Sequence, residues 1–149
     1  RGLAPVGRCA GARAPARPAR VIPPGSSLGL LGGGQLGRMF AAEAVRMGYR
    51  VVVVDPDPLA PAAALAVEHL RADWTDPAIV DALVSRVSVV TTEFENVPAD
   101  VLRALEAHLP VRPGAEAVAQ CQDRITEKQF LASAGVDTVR WAAIRNDRW

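Results

Sequence analysis

Hydrophobic and polar positions along the chain fall into blocks that switch between strand and helix periods. Residues 27–31, SLGLL, are a short apolar run that meets Gly32, Gly33 and Gly34 and then a helical pattern. The run predicts a buried strand filled by Leu28, Leu30 and Leu31, and the three glycines predict a tight turn with positive φ. Residues 35–47 predict a helix with Leu36, Met39, Phe40 and Met47 on one face, closed by Gly48 as a left-handed cap. Residues 50–54, RVVVV, are β-branched and need cover on both faces, as in a parallel sheet. Strand, helix and strand in about 30 residues make a βαβ unit.

The alternation continues downstream. Asp55 ends the second strand and opens a loop in which Pro56, Pro58 and Pro61 fix the backbone. A short helix over 61–67 and a brief strand over 69–72 follow. Asp76 and Pro77 read as the N-cap and first-turn proline of a helix that turns Ile79, Val80, Leu83 and Val84 inward. Residues 87–91, VSVVT, predict a strand that runs into Thr92, Glu93, Phe94, Glu95 and Asn96, and Pro98 begins a helix bearing Leu102, Leu105 and Leu109. Residues 111–113 are a short strand at most. A short helix to Ala119, a longer one over 123–134 stopped by Gly135, and a strand over 138–144 complete the pattern. Strands alternating with helices throughout predict an α/β, Rossmann-like, doubly wound parallel sheet.

Composition changes this picture mainly at the amino terminus. The 149 residues, 50% hydrophobic, suffice for one core, or for one domain and the beginning of another. Residues 1–25 hold five arginines, five prolines and no acid, with almost no periodicity, and are expected to be disordered. A transit peptide would share the arginine excess but should carry serine, and the first serine is Ser26. The remainder holds 12 basic and 16 acidic residues, a net of −4. That balance argues against a nucleic-acid surface, which needs a basic stripe. No apolar run approaches the roughly 20 residues of a membrane span. Cys9 and Cys121 stand far apart without a neighbouring histidine, which fits a reducing cytoplasm better than a disulfide framework or metal site. A chain that starts at Arg1 and stops at Trp149 reads as a piece of something longer.

Three stretches carry candidate chemistry. The glycine turn lets a ligand approach the backbone, and the helix starting near Gln35 aims unpaired N–H groups and its dipole at a negative group such as phosphate. Gly32, Gly34 and Gly37 also match G-x-G-x-x-G, with Asp55 where a dinucleotide fold places its ribose-binding carboxylate, so an NAD site is one reading. The plain alternatives are that Gly37 serves close packing of helix on sheet and that Asp55 caps the helix after its loop. Glu93 and Glu95 follow a buried strand. On extended backbone their spacing points both carboxylates one way, toward a polyhydroxyl or amine-bearing ligand or a cation, with Phe94 turned into the core; the plain alternative is that one glutamate faces water and the other caps the next helix near Asn96 and Pro98. Arg124 and Lys128, four apart on a helix, form either a clamp for nucleotide phosphates or a solvated face with Asp123 and Glu127.

As an ordered set, GGGQLGRM, VVTTEFENVP and RPGAEAVAQCQDRITEKQFLASAGV resemble the amino-terminal part of the N5-carboxyaminoimidazole ribonucleotide synthases, purine-biosynthesis members of the ATP-grasp superfamily. The resemblance covers roughly residues 26–144. It implies a substrate-binding domain over 26–120, then a linker helix and the start of a truncated ATP-grasp domain over 121–149. The implied activity is ATP-dependent carboxylation of 5-aminoimidazole ribonucleotide with bicarbonate, through carboxyphosphate, in a cytoplasmic enzyme that is a homodimer when complete. Gly34, Gln35 and Leu36 would hold the substrate's phosphate, Glu93 its ribose or amine side, and Arg124 would bind ATP. Glu95 and Lys128 are further candidates, and the implied magnesium has no acidic cluster after residue 127 to hold it. No catalytic residue is expected in this chain, which alone should bind weakly and catalyse nothing. Residues 136–141, VDTVRW, depart from relatives that carry a proline there, and His69 and His108 read as surface or packing residues. One rival is a formate-dependent glycinamide ribonucleotide transformylase, whose turn usually carries an acid where Gln35 stands and whose glutamate strand lacks the NVP ending. The other is a non-catalytic NAD-binding regulatory module.

Overall fold

A computed structural model describes residues 21–144. Five strands, β1 (Ser27–Leu31), β2 (Arg50–Val54), β3 (Glu68–Leu70), β4 (Val89–Thr92) and β5 (Val111–Arg112), form one sheet. Around it lie α1 (Gln35–Arg46), α2 (Ala78–Val84), α3 (Ala99–Glu106), α4 (Ala115–Gln122), α5 (Arg124–Ser133) and a 3₁₀ turn at Pro61–Leu65. Every neighbouring pair is parallel, in the order β3-β2-β1-β4-β5. The winding therefore reverses at β1 and β4, and their carboxyl ends flank the crevice where open α/β sheets hold ligands.

The side-chain period of two sends successive valines of β2 to opposite faces. Val52 and Val54 join Leu31, Ile79, Leu83 and Leu102 in one core, while Val51 and Val53 join Leu30, Ala41, Ala44 and Ala62 in the other. Both faces are thus covered, as the RVVVV run requires. Gly48, at φ +87°, follows α1, and Gly135, at φ +73°, follows α5, as left-handed caps do. Among the described residues no helix is long and apolar enough to cross a membrane.

Several local expectations are overturned. The face of α1 that packs on the sheet is made of Gly37, Ala41 and Ala44, whereas Leu36 and Met39 are each 66% exposed and Phe40 and Met47 are also exposed. Small residues face inward because α1 runs very close to β1: a Cβ on Gly37 would lie 2.7 Å from the Gly32 carbonyl oxygen. The close-packing role read for Gly37 is therefore correct. In α2, Ile79 and Leu83 are buried one turn apart, and Val84, a step around the helix, is exposed. Phe94 lies at the surface, stacked on Trp74 with ring centroids 5.8 Å apart, because the chain has already bent away from the sheet at Glu93. Residues 138–144 form no strand.

The disorder expected for residues 1–25 lies mostly outside the described residues. Its last part is ordered: Gly25 N–H donates to the Gly48 carbonyl at 2.7 Å and the Tyr49 hydroxyl to the Ile22 carbonyl at 2.9 Å. The end of α1 thus pins the approach to β1.

The inverted face of α1 gives a stability test. Leu102→Ala should cost about 2–5 kcal/mol, as for other fully buried leucines, while Met39→Ala should change stability by under about 0.5 kcal/mol. Urea unfolding of the two variants checks both, and a large loss in Met39→Ala would require α1 to be rotated.

Candidate functional site

The site begins with the backbone between β1 and α1. Gly32 takes φ +101°, the left-handed region that favours glycine, and its N–H donates to the Val54 carbonyl at 3.0 Å. The other two glycines of the turn have negative φ and serve space instead. A Cβ at Gly33 would meet Ala60 Cβ at 2.7 Å, and one at Gly34 would meet Glu93 Oε1 at 2.8 Å. Gly33 is held at both ends, donating to Asp55 Oδ2 at 2.7 Å and accepting from Ala62 N–H at 2.8 Å. The N–H groups of Gly34, Gln35 and Leu36 have no acceptor among the described residues, and α1 has no side-chain cap. They form an open helix amino terminus, the backbone arrangement that receives phosphate or carboxylate oxygens.

Glu93 reaches the same place from β4. Its N–H and that of Phe94 both donate to the Leu31 carbonyl, at 2.8 and 3.3 Å, so the chain bends across the end of β1. The Thr92 hydroxyl closes the bend by donating to the Phe94 carbonyl at 2.8 Å. The half-buried Glu93 carboxylate lies across the turn, its oxygens 2.6 and 2.8 Å from where a Cβ on Gly32 or Gly34 would stand. Only a turn without side chains admits it there. The bend also separates the acids that extended backbone would have aligned: Glu95 sits exposed in the following turn, with Oε1 accepting from Asn96 Nδ2 at 3.4 Å. The structure thus brings Glu93 to the glycine turn and does not bring Glu95.

A cavity of about 300 Å³, the lower end of the small-molecule range, opens beside them and is lined by Leu30, Leu36, Phe40, Thr91, Thr92 and Glu93. Leu36 and Phe40, from the apolar face that the sequence pattern gives α1, form its apolar wall. Asp55 does not cap the 3₁₀ turn, whose N-cap is Ala60 with no side-chain bond. Its carboxylate turns back to the Gly33 N–H and, through Oδ1, to the Asp57 N–H at 2.8 Å. The carboxylate that a dinucleotide site would offer to ribose here accepts from two backbone N–H groups of its own loops. His69 packs with Nε2 3.0 Å from the Asp55 carbonyl oxygen.

Arg124 and Lys128 lie on α5, which packs on α4 and buries none of its residues fully. Asp123 caps this helix, accepting from Thr126 N–H at 2.7 Å and from its hydroxyl at 2.8 Å, and these bonds hold its carboxyl below the usual carboxylate range. Arg124 is exposed and pairs with Glu127, the solvated-face arrangement, and among the described residues no hydrogen bond or ion pair joins it to the glycine turn. Gln122, which opens the QDRITEK run but has no role of its own in the sequence reading, donates through its amide to the carbonyls of Glu95 at 2.9 Å and Val97 at 2.7 Å, tying the end of α4 to the loop behind Glu93. The signal available was its position two residues before Arg124 in the QDR run. Among the described residues, no three His, Cys, Asp or Glu side chains gather as metal ligands.

Comparison with known proteins bears on the whole constellation. The sequence profile of the ribonucleotide synthetase preATP-grasp domain matches residues 26–122. An N5-carboxyaminoimidazole ribonucleotide synthase from Brucella melitensis is 40% identical over 126 residues, which are 85% of this chain and 35% of that protein. The crystal structure of the Staphylococcus aureus N5-carboxyaminoimidazole synthetase complexed with ADP superposes with a TM-score of 0.73 at 40% identity, over 76% of this chain and 31% of that one. The Aspergillus clavatus N5-carboxyaminoimidazole synthase in complex with ADP and 5-aminoimidazole ribonucleotide gives 0.62 at 26% identity, over 74% and 30%. The chain spans about a third of the length of these relatives. With a parallel β3-β2-β1-β4-β5 sheet, a glycine turn at its switch point and a profile match over more than half its residues, the chain belongs to the ribonucleotide synthetase preATP-grasp domain family.

Proposed function

We propose that this chain is the substrate-binding front of an ATP-dependent ligase that carboxylates 5-aminoimidazole ribonucleotide with bicarbonate, yielding N5-carboxyaminoimidazole ribonucleotide in purine biosynthesis. The observation that carries the reading is the Glu93 carboxylate lying across a turn whose Gly34, Gln35 and Leu36 N–H groups are open. A sugar phosphate needs both features side by side, donors for its phosphate and an acceptor for hydroxyls or an amine. The relatives named as N5-carboxyaminoimidazole ribonucleotide synthases support the same choice of substrate.

In this reading residues 26–120 bind the ribonucleotide, and residues 121–149 begin the ATP-grasp domain. Arg124 contacts ATP from α5, and Lys128 and Glu95 are secondary candidates at the margin. Magnesium, which would offset charge on the transferring phosphoryl group, would be held by the portion of such ligases that this chain does not span. A homodimer in the cytoplasm is part of the same proposal. The NAD-binding alternative is disfavoured because Asp55 spends both carboxylate oxygens on backbone N–H groups. The transformylase alternative is disfavoured by Gln35 and by the NVP ending at Asn96, Val97 and Pro98.

Two substitutions in the complete ligase test this. Glu93→Gln should lower kcat/KM for the ribonucleotide by roughly ten- to a hundredfold, the scale of losing hydrogen bonds to a charged group, with the KM for ATP unchanged. Steady-state kinetics with each substrate varied decides it, and an unaltered ribonucleotide profile removes Glu93 from the site. Gly34 has φ −65° and ψ −164°, which other residues adopt, so a side chain there alters space and not backbone strain. Gly34→Val should therefore fold normally yet weaken ribonucleotide binding about tenfold or more through displacement of Glu93 and loss of close approach. Calorimetric titration with the ribonucleotide and with NADH reads this out, and tight NADH binding without a response to the ribonucleotide defeats the proposal.

A further inference from the structure

Asp55 is the motif residue that the proposed reaction leaves without a task, yet its carboxylate is the most engaged in the loop region. Oδ2 accepts from Gly33 N–H at 2.7 Å, Oδ1 from Asp57 N–H at 2.8 Å, and the Asp55 carbonyl lies 3.0 Å from His69 Nε2. The Asp55 N–H donates to the Leu70 carbonyl at 3.2 Å, so the residue is anchored to β3 while it grips the glycine turn. In the next peptide unit, whose N–H is that of Gly34, the Gly33 carbonyl accepts from Ala62 N–H at 2.8 Å. Gly33 is thereby fixed at both its polar groups, and it is the residue immediately before the three open N–H groups of Gly34, Gln35 and Leu36. A glycine peptide left free rotates easily. With the unit before its Cα held by Asp55 and the unit after it by the Ala62 N–H, Gly33 has both its dihedrals set, and with them the direction of the Gly34 N–H.

We propose that Asp55 is a positioning residue for the phosphate subsite: by clamping Gly33 it aims the N–H groups of Gly34, Gln35 and Leu36 at one phosphate group. The inference rests on the ribonucleotide reading above but assigns the carboxylate a task inside the protein, in place of contact with a ribose. A negative carboxylate is suited to this because it accepts from two backbone N–H groups at once. Asp57 provides the internal control. It sits two residues away and makes the same kind of local bond, accepting from Leu59 N–H at 2.8 Å, but holds no part of the glycine turn.

The test is made in the complete ligase with Asp55→Ala, Asp55→Asn and Asp57→Ala, each checked for its thermal midpoint. Asp55→Ala is expected to raise the KM for 5-aminoimidazole ribonucleotide about tenfold or more, the scale of a misaimed binding group, with kcat and the KM for ATP nearly unchanged. Asp55→Asn should recover part of that loss, since its carbonyl oxygen still accepts from Gly33 while its amide faces the Asp57 N–H. Asp57→Ala should leave all three constants near wild type. A wild-type KM in Asp55→Ala, or equal effects of the Asp55 and Asp57 changes, overturns the proposal. Should Asp55→Ala fail to fold, Asp55→Asn decides: a raised ribonucleotide KM at an unchanged midpoint supports the assignment, and an unchanged KM rejects it. If the wild type itself ignores the ribonucleotide, the functional reading falls. Amide exchange at Gly33 by NMR then settles the clamp, with faster exchange in Asp55→Asn than in wild type expected and equal exchange overturning it.

Discussion

Space is the constraint on which this domain depends, because at Gly32, Gly33, Gly34 and Gly37 the backbone lies closer to its surroundings than a Cβ permits without a neighbour moving. A Cβ would come within 2.6 Å of Glu93 at Gly32, 2.7 Å of Ala60 at Gly33, 2.8 Å of Glu93 at Gly34 and 2.7 Å of the Gly32 carbonyl at Gly37. The last of these sets how α1 sits. With the helix pressed onto the end of β1, only Gly37, Ala41 and Ala44 fit beneath it, and its larger apolar residues are turned out toward the crevice and solvent. The same closeness brings the amino terminus of α1, the bend after β4 and the loop after β2 to one point. What a phosphate-binding turn needs for its ligand and what the fold needs for its packing are met by the same missing side chains.

The sequence revealed the sheet more fully than the site, for a physical reason. Runs such as RVVVV and the alternation of strand and helix patterns state burial directly, and the chain forms the doubly wound sheet they imply. Side-chain direction in loops depends on bends that periodicity does not encode. Glu93 and Glu95 looked like partners on extended backbone, but β4 ends at Thr92, whose hydroxyl closes a turn that sends Glu95 outward. Phe94 moved from an expected core position to a surface stack on Trp74 through the same bend. For α1 the error was one of size. Two helical stripes coexist there, and the rule that large apolar residues go inward selects the wrong one when the helix lies this close. Asp55 was legible as a special position, at the end of β2 beside a glycine turn, while its direction, back into the loop, was not.

Gln122 shows how the two halves of the proposed site share one framework. A side-chain amide with two N–H donors is suited to join two carbonyls, and Gln122 does so with those of Glu95 and Val97, which flank the turn following Glu93. Asp123 then caps α5, and Arg124 opens it. Between the carboxylate that reaches the glycine turn and the arginine assigned to the nucleotide there are thus only a short bend, one amide and one helix cap. The loop's own fixed points, Leu31 for the bend and Asp55 for the turn, lie on the carboxyl ends of adjacent strands, β1 and β2. The rigidity of the parallel sheet is in this way conveyed to groups that stand on loops. In the proposed reading, the groups assigned to the substrate's phosphate and to its reacting side stand on the same few backbone hydrogen bonds that order the crevice.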